Sequence, residues 1–159
     1  MSELLSPTAQ KVQDALSAQG FPYQVVESAT TSRTAAEAAA HVGCELAQIV
    51  KSLVFRTKES GRPVLVLTSG ANQVNEWQIG ALLKEPLEKA RAAFVREHTG
   101  FAIGGVAPLG HPKALETFID QDLLKLPEIW AAAGTPNALF RLAPGDLVKM
   151  TGGRVIKVT

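Results

Sequence analysis

Residues 49–56 read IVKSLVFR, and residues 63–68 read PVLVLT. Both runs are rich in Val and Leu. The six residues between them, Thr57 to Arg62 (TKESGR), are polar and include a glycine. Two apolar runs flanking a short polar turn predict an antiparallel hairpin. A hairpin argues against regular βαβ alternation, and therefore against a doubly wound parallel sheet.

The flanking sequence mixes helices and strands. Ser6-Pro7 is a helix start, an N-cap followed by proline at the first helical position. Ala9, Val12 and Leu16 then mark one face, and Gly20 ends the helix. Residues 23–26 read as a short strand. Thr34 to Glu37 have capping-box spacing, and a helix is expected over 35–42 with Gly43 as its stop. Helices are also predicted over 75–83, 88–98, 128–133 and 144–151. Strands are predicted over 101–103, 115–119, 138–142 and 155–158. The expected class is α+β around a mixed, mostly antiparallel sheet, in one domain spanning residues 1–159.

Composition bounds the function. The 159 residues are 46% hydrophobic and 19% charged, enough to bury a core. Sixteen Lys and Arg against fifteen Asp and Glu leave a formal net charge of +1, which excludes a strongly basic nucleic-acid coat but not a local patch. One cysteine, Cys44, rules out an internal disulfide framework and is expected to be a buried structural thiol. His41, His98 and His111 are scattered, so no metal site and no cofactor are expected. No apolar run approaches the roughly 20 residues of a membrane span. The N-terminus, MSELLSPTAQK, lacks the basic and apolar regions of a secretory leader. A cytoplasmic protein with no membrane contact is the expectation.

Two features carry the chemistry. In an extended strand Lys51 shares a face with Leu53 and Phe55, while Val50, Ser52 and Val54 take the other. Either face is largely apolar. An ammonium there either reaches an anion or carbonyl at the floor of a pocket, or snorkels to water. The second feature is the loop GGVAPLGHP at 104–112, with three glycines and two prolines in nine residues. Glycines let a backbone approach a ligand closely and let N–H groups converge. Such donors can stabilise an oxyanion by about 3 kcal/mol each. The loop has neither Rossmann nor P-loop spacing, so an ordinary connection is the alternative. His111 is either a base or a cap on this loop. Ser69, with Gly70 and Asn72, follows the second strand where pocket residues often sit. Asp120 and Asp122 read as turn chemistry. Lys84, Lys89, Arg91 and Arg96 read as a solvated face, and Lys149, Arg154 and Lys157 form a second weak cationic group.

Taken in order, SRTAAEAA (32–39), IVKSLVFR (49–56), LTSGANQVN (67–75), TGFAIGGVAPLGH (99–111) and AAGTPNALFRLAPGDLVKMTGGRV (132–155) resemble the YbaK/prolyl-tRNA-synthetase-associated domain family. The resemblance runs from about Thr31 to the C-terminus. It implies a curved mixed sheet with flanking helices. The implied activity is trans-editing, the hydrolysis of mischarged aminoacyl-tRNA, chiefly tRNA(Pro) bearing a small amino acid. The family lysine falls on Lys51, and its glycine-proline loop on Gly104, Gly105, Pro108 and Gly110. A later pocket glycine falls on Gly134. Ser52, Ser69, Val106, Ala107 and His111 complete the expected substrate contacts. Some relatives carry a hydroxyl residue where Ala107 stands, so its absence here fits a small apolar substrate such as Ala. The implied partners are the tRNA acceptor end and either prolyl-tRNA synthetase or an elongation factor. A non-catalytic tRNA-acceptor or synthetase-binding module is the alternative.

Overall fold

The computed structural model describes residues 4–159, so the first three residues of the stretch read for a leader lie outside the described residues. The hairpin forms as the sequence dictates. β2 (Val50–Thr57) and β3 (Pro63–Ser69) pair antiparallel from Val50↔Ser69 to Arg56↔Pro63. The turn closes with Gly61 N–H donating to Thr57 O at 3.0 Å. Its polar residues are gathered by Glu85, which accepts from Ser60 N (2.9 Å), Ser60 Oγ (2.8 Å) and Glu59 N (3.1 Å).

Around this hairpin a five-stranded sheet takes the order β4-β2-β3-β5-β8. β4 (Leu87–Lys89) runs antiparallel to β2, whereas β5 (Glu116–Asp120) and β8 (Arg154–Ile156) are parallel to their neighbours. A second, antiparallel sheet has the order β1-β7-β6, from β1 (Val25–Glu27), β6 (Ile129–Ala132) and β7 (Ala138–Leu142). Antiparallel pairing thus prevails, as expected.

Side-chain alternation along β2 divides the core. Val50 and Val54 face the main cluster with Leu65, Leu67 and Ile119. Leu53 and Phe55 face a second cluster with Val64, Val66, Ile79 and Phe118. α1 (Pro7–Ala18) buries Ala9, Val12 and Leu16 in the main cluster, and its N-cap Ser6 is held by Glu27 through N–H and Oγ at 2.7 Å each. Burial alone would raise the Glu27 pKa, but these bonds outweigh it and hold the carboxyl below its usual value. α2 (Ala35–Val42) starts on Thr34, whose Oγ1 accepts from Glu37 N at 3.1 Å, and stops at left-handed Gly43. α3 (Glu76–Leu83), α4 (Ala92–Thr99) and α5 (Pro144–Thr151) complete the helices.

Four local expectations need correction. The helix expected over 88–98 begins only at Ala92, because residues 87–89 pair with β2 and Arg56 bridges Glu88 at 2.8 Å. Residues 128–133 are not helical: Ile129 and Ala131 are buried while Trp130 and Ala132 are half-buried, a period of two supplied by pairing with β7. Residues 101–103 form a turn rather than a strand, with buried Phe101 held through its N–H to Thr99 Oγ1 at 3.0 Å. Cys44 is half-buried rather than buried. Among the described residues no helix is long and apolar enough to cross a membrane.

Candidate functional site

The site forms where β2 lacks a neighbour. β4 pairs with β2 only at residues 55–57, and on the side of β6 the one backbone pairing among the described residues is the parallel bridge Ile49↔Trp130, just before β2. The outer edge at Lys51, Ser52 and Leu53 is left without a partner strand. Two adjoining cavities open there, of about 320 and 480 Å³. Lys51, Ser52, Leu53, Ile103 and Val106 line both. The smaller is otherwise walled by α2 and the residues before it and by Gly104, Thr135 and Pro136; the larger by Glu76, Lys89 and Val95, among others.

Lys51 is the charged residue common to both cavities. Its Nζ donates to Asn72 O at 2.7 Å. Lys51 forms no ion pair among the described residues. An ammonium has three donors, so two remain for a ligand. The carbonyl it grips is itself clamped. Asn72 Nδ2 donates to Asp120 Oδ2 (2.8 Å) and Asp122 Oδ2 (2.9 Å). Asp120, only 1% exposed, also accepts from Thr68 Oγ1 (3.1 Å), Ser69 N (3.0 Å) and Asp122 N (2.9 Å). The bonds from Asn72 and Lys125 lead the causes that hold the Asp122 carboxyl below its usual pKa. Sequence reading placed Asp120 and Asp122 in turn chemistry at a strand end; Asp120 ends β5 and caps a 3-10 turn, Gln121–Lys125, that holds Asp122. That reading missed that the turn reaches across β3 to the loop behind Lys51. The one available signal was Asn72 following a strand, opposite two alternating aspartates.

Ser52 Oγ is the single buried side-chain polar atom without a hydrogen-bond partner among the described residues. Such atoms are rare, because an unmade bond costs about 1–3 kcal/mol. Ser52 belongs to the wall common to both cavities.

The glycine loop meets the cleft of Lys51 through Gly104 and Val106. Gly104 lines the smaller cavity, has φ +91°, and has nothing within 4 Å of the place a Cβ would take. The rest of the loop supports it from behind. Gly105 N–H donates to Ala102 O at 3.0 Å and is thereby occupied. A Cβ on Gly105 would lie 2.8 Å from Gly134 O and Thr135 Cα, so this glycine lets the loop touch the β6–β7 turn, while Gly134, at φ +98°, lets that turn pack on Thr8 and Val12 of α1. Ala107, Pro108 and Leu109 are buried in the fold. Gly110 packs near Phe101 and Ala15. The His111 ring sits edge-on to Phe101, with Nε2 2.7 Å from Ala107 O. That carbonyl can only accept, so Nε2 carries the proton. Burial holds the imidazole pKa below its ordinary value. Ser69 Oγ donates to Ala47 O at 2.8 Å. Of the expected site residues, Lys51, Ser52, Gly104 and Val106 line the cleft; Gly105, Gly110, Ser69, Ala107, Pro108, His111 and Gly134 stand behind it.

Residues 29–150 match the aminoacyl-tRNA editing domain family. The chain belongs to that family. The editing domain is similar over 98% of its length to the crystal structure of a proposed trans-editing enzyme for prolyl tRNA synthetase, at 49% identity and TM-score 0.93, covering 99% of that chain. It is 26% identical over 141 residues to EbsC of Enterococcus faecalis, named as a proposed Cys-tRNA(Pro)/Cys-tRNA(Cys) deacylase, covering 87% of this chain and 85% of EbsC. An 89-residue stretch, 55% of the editing domain, is 39% identical to part of the proline–tRNA ligase of Bacillus licheniformis, where it spans 15% of the length.

Proposed function

We propose that this editing domain hydrolyses the ester of mischarged tRNA(Pro) carrying a small amino acid such as Ala. The observation that carries the reading is the Lys51 ammonium, tied to Asn72 O with no carboxylate partner among the described residues, lining the same cleft as Ser52 and Gly104.

The chemistry follows from what each group can do. Lys51 binds the phosphate or ribose end of the substrate and fixes the ester beside Gly104. Ser52 Oγ bonds a polar group of the aminoacyl or ribose moiety. Water attacks the ester carbonyl, and the Gly104 N–H receives the oxyanion, a contribution typically worth about 3 kcal/mol. The C–O bond to the ribose then breaks. The proton lost by water ends on the departing ribose oxygen, passed by the neighbouring ribose hydroxyl. His111, turned toward Ala107 O, acts by bracing the loop. No side chain forms a covalent intermediate: the work is orientation and electrostatics. The smaller cavity suits a short side chain. Prolyl-tRNA synthetase or an elongation factor would deliver the tRNA to a protein whose own net charge is only +1.

The test is a panel of tRNA(Pro) charged with Ala, Ser, Cys, Thr or Pro, followed for loss of ester. Ala-tRNA(Pro) is expected to be hydrolysed and Pro-tRNA(Pro) spared. Lys51→Ala should lower turnover at least a hundred-fold while the circular dichroism spectrum is unchanged. Absence of turnover with every member, with binding retained, would replace this reading by a non-catalytic acceptor-binding module.

A further inference from the structure

Trp77, on α3, is 83% exposed. Its helix buries Ile79 in the second core cluster and Gly80 against residues 85–87, and the exposed side carries Trp77, Ala81 and, at the C-cap, Lys84. Positions 77, 81 and 84 fall on one side of a helix. The small residues leave a groove of about 470 Å³ beside the indole, closed by Lys58, Pro86 and Leu87. Lys84 is the only non-glycine residue with positive φ (+62°) among the described residues. Glycine is the usual occupant of such a cap, and here it is a lysine.

Two cations and two acids border the groove. Lys58 and Lys84 line it, and Lys51 and Lys89 line the neighbouring larger cavity. Of the two acids, Glu85 is taken up by the Ser60 and Glu59 donors and by Arg62 at 3.5 Å. Glu76, the other, belongs to both the groove and the larger cavity, so the two adjoin.

We infer that this shelf is a stacking platform for the single-stranded 3′ end of the tRNA, the nucleotides that precede the aminoacylated terminal one. The inference rests on the editing function proposed above. An exposed indole offers a face to any base, and flanking lysines meet the phosphates. This is how proteins hold unpaired nucleic acid without reading its sequence. Continuity through Glu76 leads the strand from the groove into the cleft.

The experiment compares wild type, Trp77→Ala and Trp77→Phe on two substrates: Ala-tRNA(Pro), and 2′(3′)-O-alanyl-adenosine, which lacks the preceding strand. Trp77→Ala should raise KM for the tRNA about ten-fold with kcat unchanged, as expected for loss of one stacked base. It should leave the nucleoside ester kinetics unaltered, and Trp77→Phe should recover most of the loss. Lys84→Gly, which also relieves the backbone, should reduce the slope of log KM against log salt by about 0.7. Independently of turnover, a four-nucleotide RNA of the tRNA 3′ sequence should quench wild-type tryptophan fluorescence and fail to quench Trp77→Phe. An unchanged KM in Trp77→Ala, or equal quenching in both proteins, overturns the platform. A fall in sedimenting mass on Trp77→Ala with KM unchanged would make the shelf a contact between copies instead. If wild type hydrolyses neither substrate, the editing reading fails, and the quenching comparison still decides the shelf.

Discussion

Removing Asp120 should uncouple the loop behind Lys51 from the sheet. In Asp120→Ala, four donors lose their acceptor, and two of them belong to buried residues, Thr68 (fully buried) and Ser69 (2% exposed). Each buried donor left unmade costs about 1–3 kcal/mol, and the Asn72 and Asp122 donors can turn to water, so the loss should be about 4 kcal/mol. For a chain of this size that corresponds to a fall of roughly 8–16 °C in the thermal midpoint. Asp120→Asn keeps one oxygen and should cost about half as much. Thermal and urea unfolding followed by circular dichroism give both numbers. Deacylation measured well below the lowered midpoint should still be weakened, because Asn72 O would no longer be held against the Lys51 ammonium. An Asp120→Ala protein within about 1 kcal/mol of wild type would refute the clamp as a supporting structure.

Gly105→Ala places a methyl 2.8 Å from the backbone of Gly134 and Thr135, and should destabilise by about 1–3 kcal/mol in denaturant titration as overpacked sites do. Gly104→Ala meets open space at φ +91°, so it should cost only about 1 kcal/mol of strain yet reduce turnover. Glu85 has its pKa lowered to about 2, chiefly by the Ser60 donors. Its contribution is therefore present above the ordinary 4.5 and lost as pH falls toward 2, and Glu85→Gln should lower the midpoint at pH 7 but match wild type near pH 2. Burial lowers the His111 pKa below 6.5. The unfolded chain takes up that proton first, so wild-type stability should fall on acidification below 6.5, and His111→Gln should flatten the slope between pH 7 and 5.

Local signals carried far where one residue type governs one geometry. Ser6-Pro7, Thr34 with Gly43, and the alternation in IVKSLVFR each predicted their element, and the last also placed Lys51 among apolar neighbours. Signals that depend on a distant partner did not carry. Residues 88 and 89 read as helix because nothing local announces the vacant edge at Phe55. Residues 129–132 read as helix because Ala is permissive, while β7 dictated their period. The same division holds in the cleft. Lys51 and Gly104 were legible from their own chemistry. The support from Asn72 and Asp120 arises only when β3 and β5 lie side by side. The glycines at 105, 110 and 134 announce tight backbone geometry but not which side of the wall they occupy.

An open sheet margin is ordinarily an invitation to fibril growth, since any extended chain can zip onto it. Here the vacant stretch of β2 is only three residues long, recessed under Ile103 and Val106, and guarded by a fixed cation. A foreign strand would have to strip water from that cation to dock. The gap is thus forbidding to polypeptide, and an insertion that extended β4 toward Lys51 would seal it while making the sheet more regular.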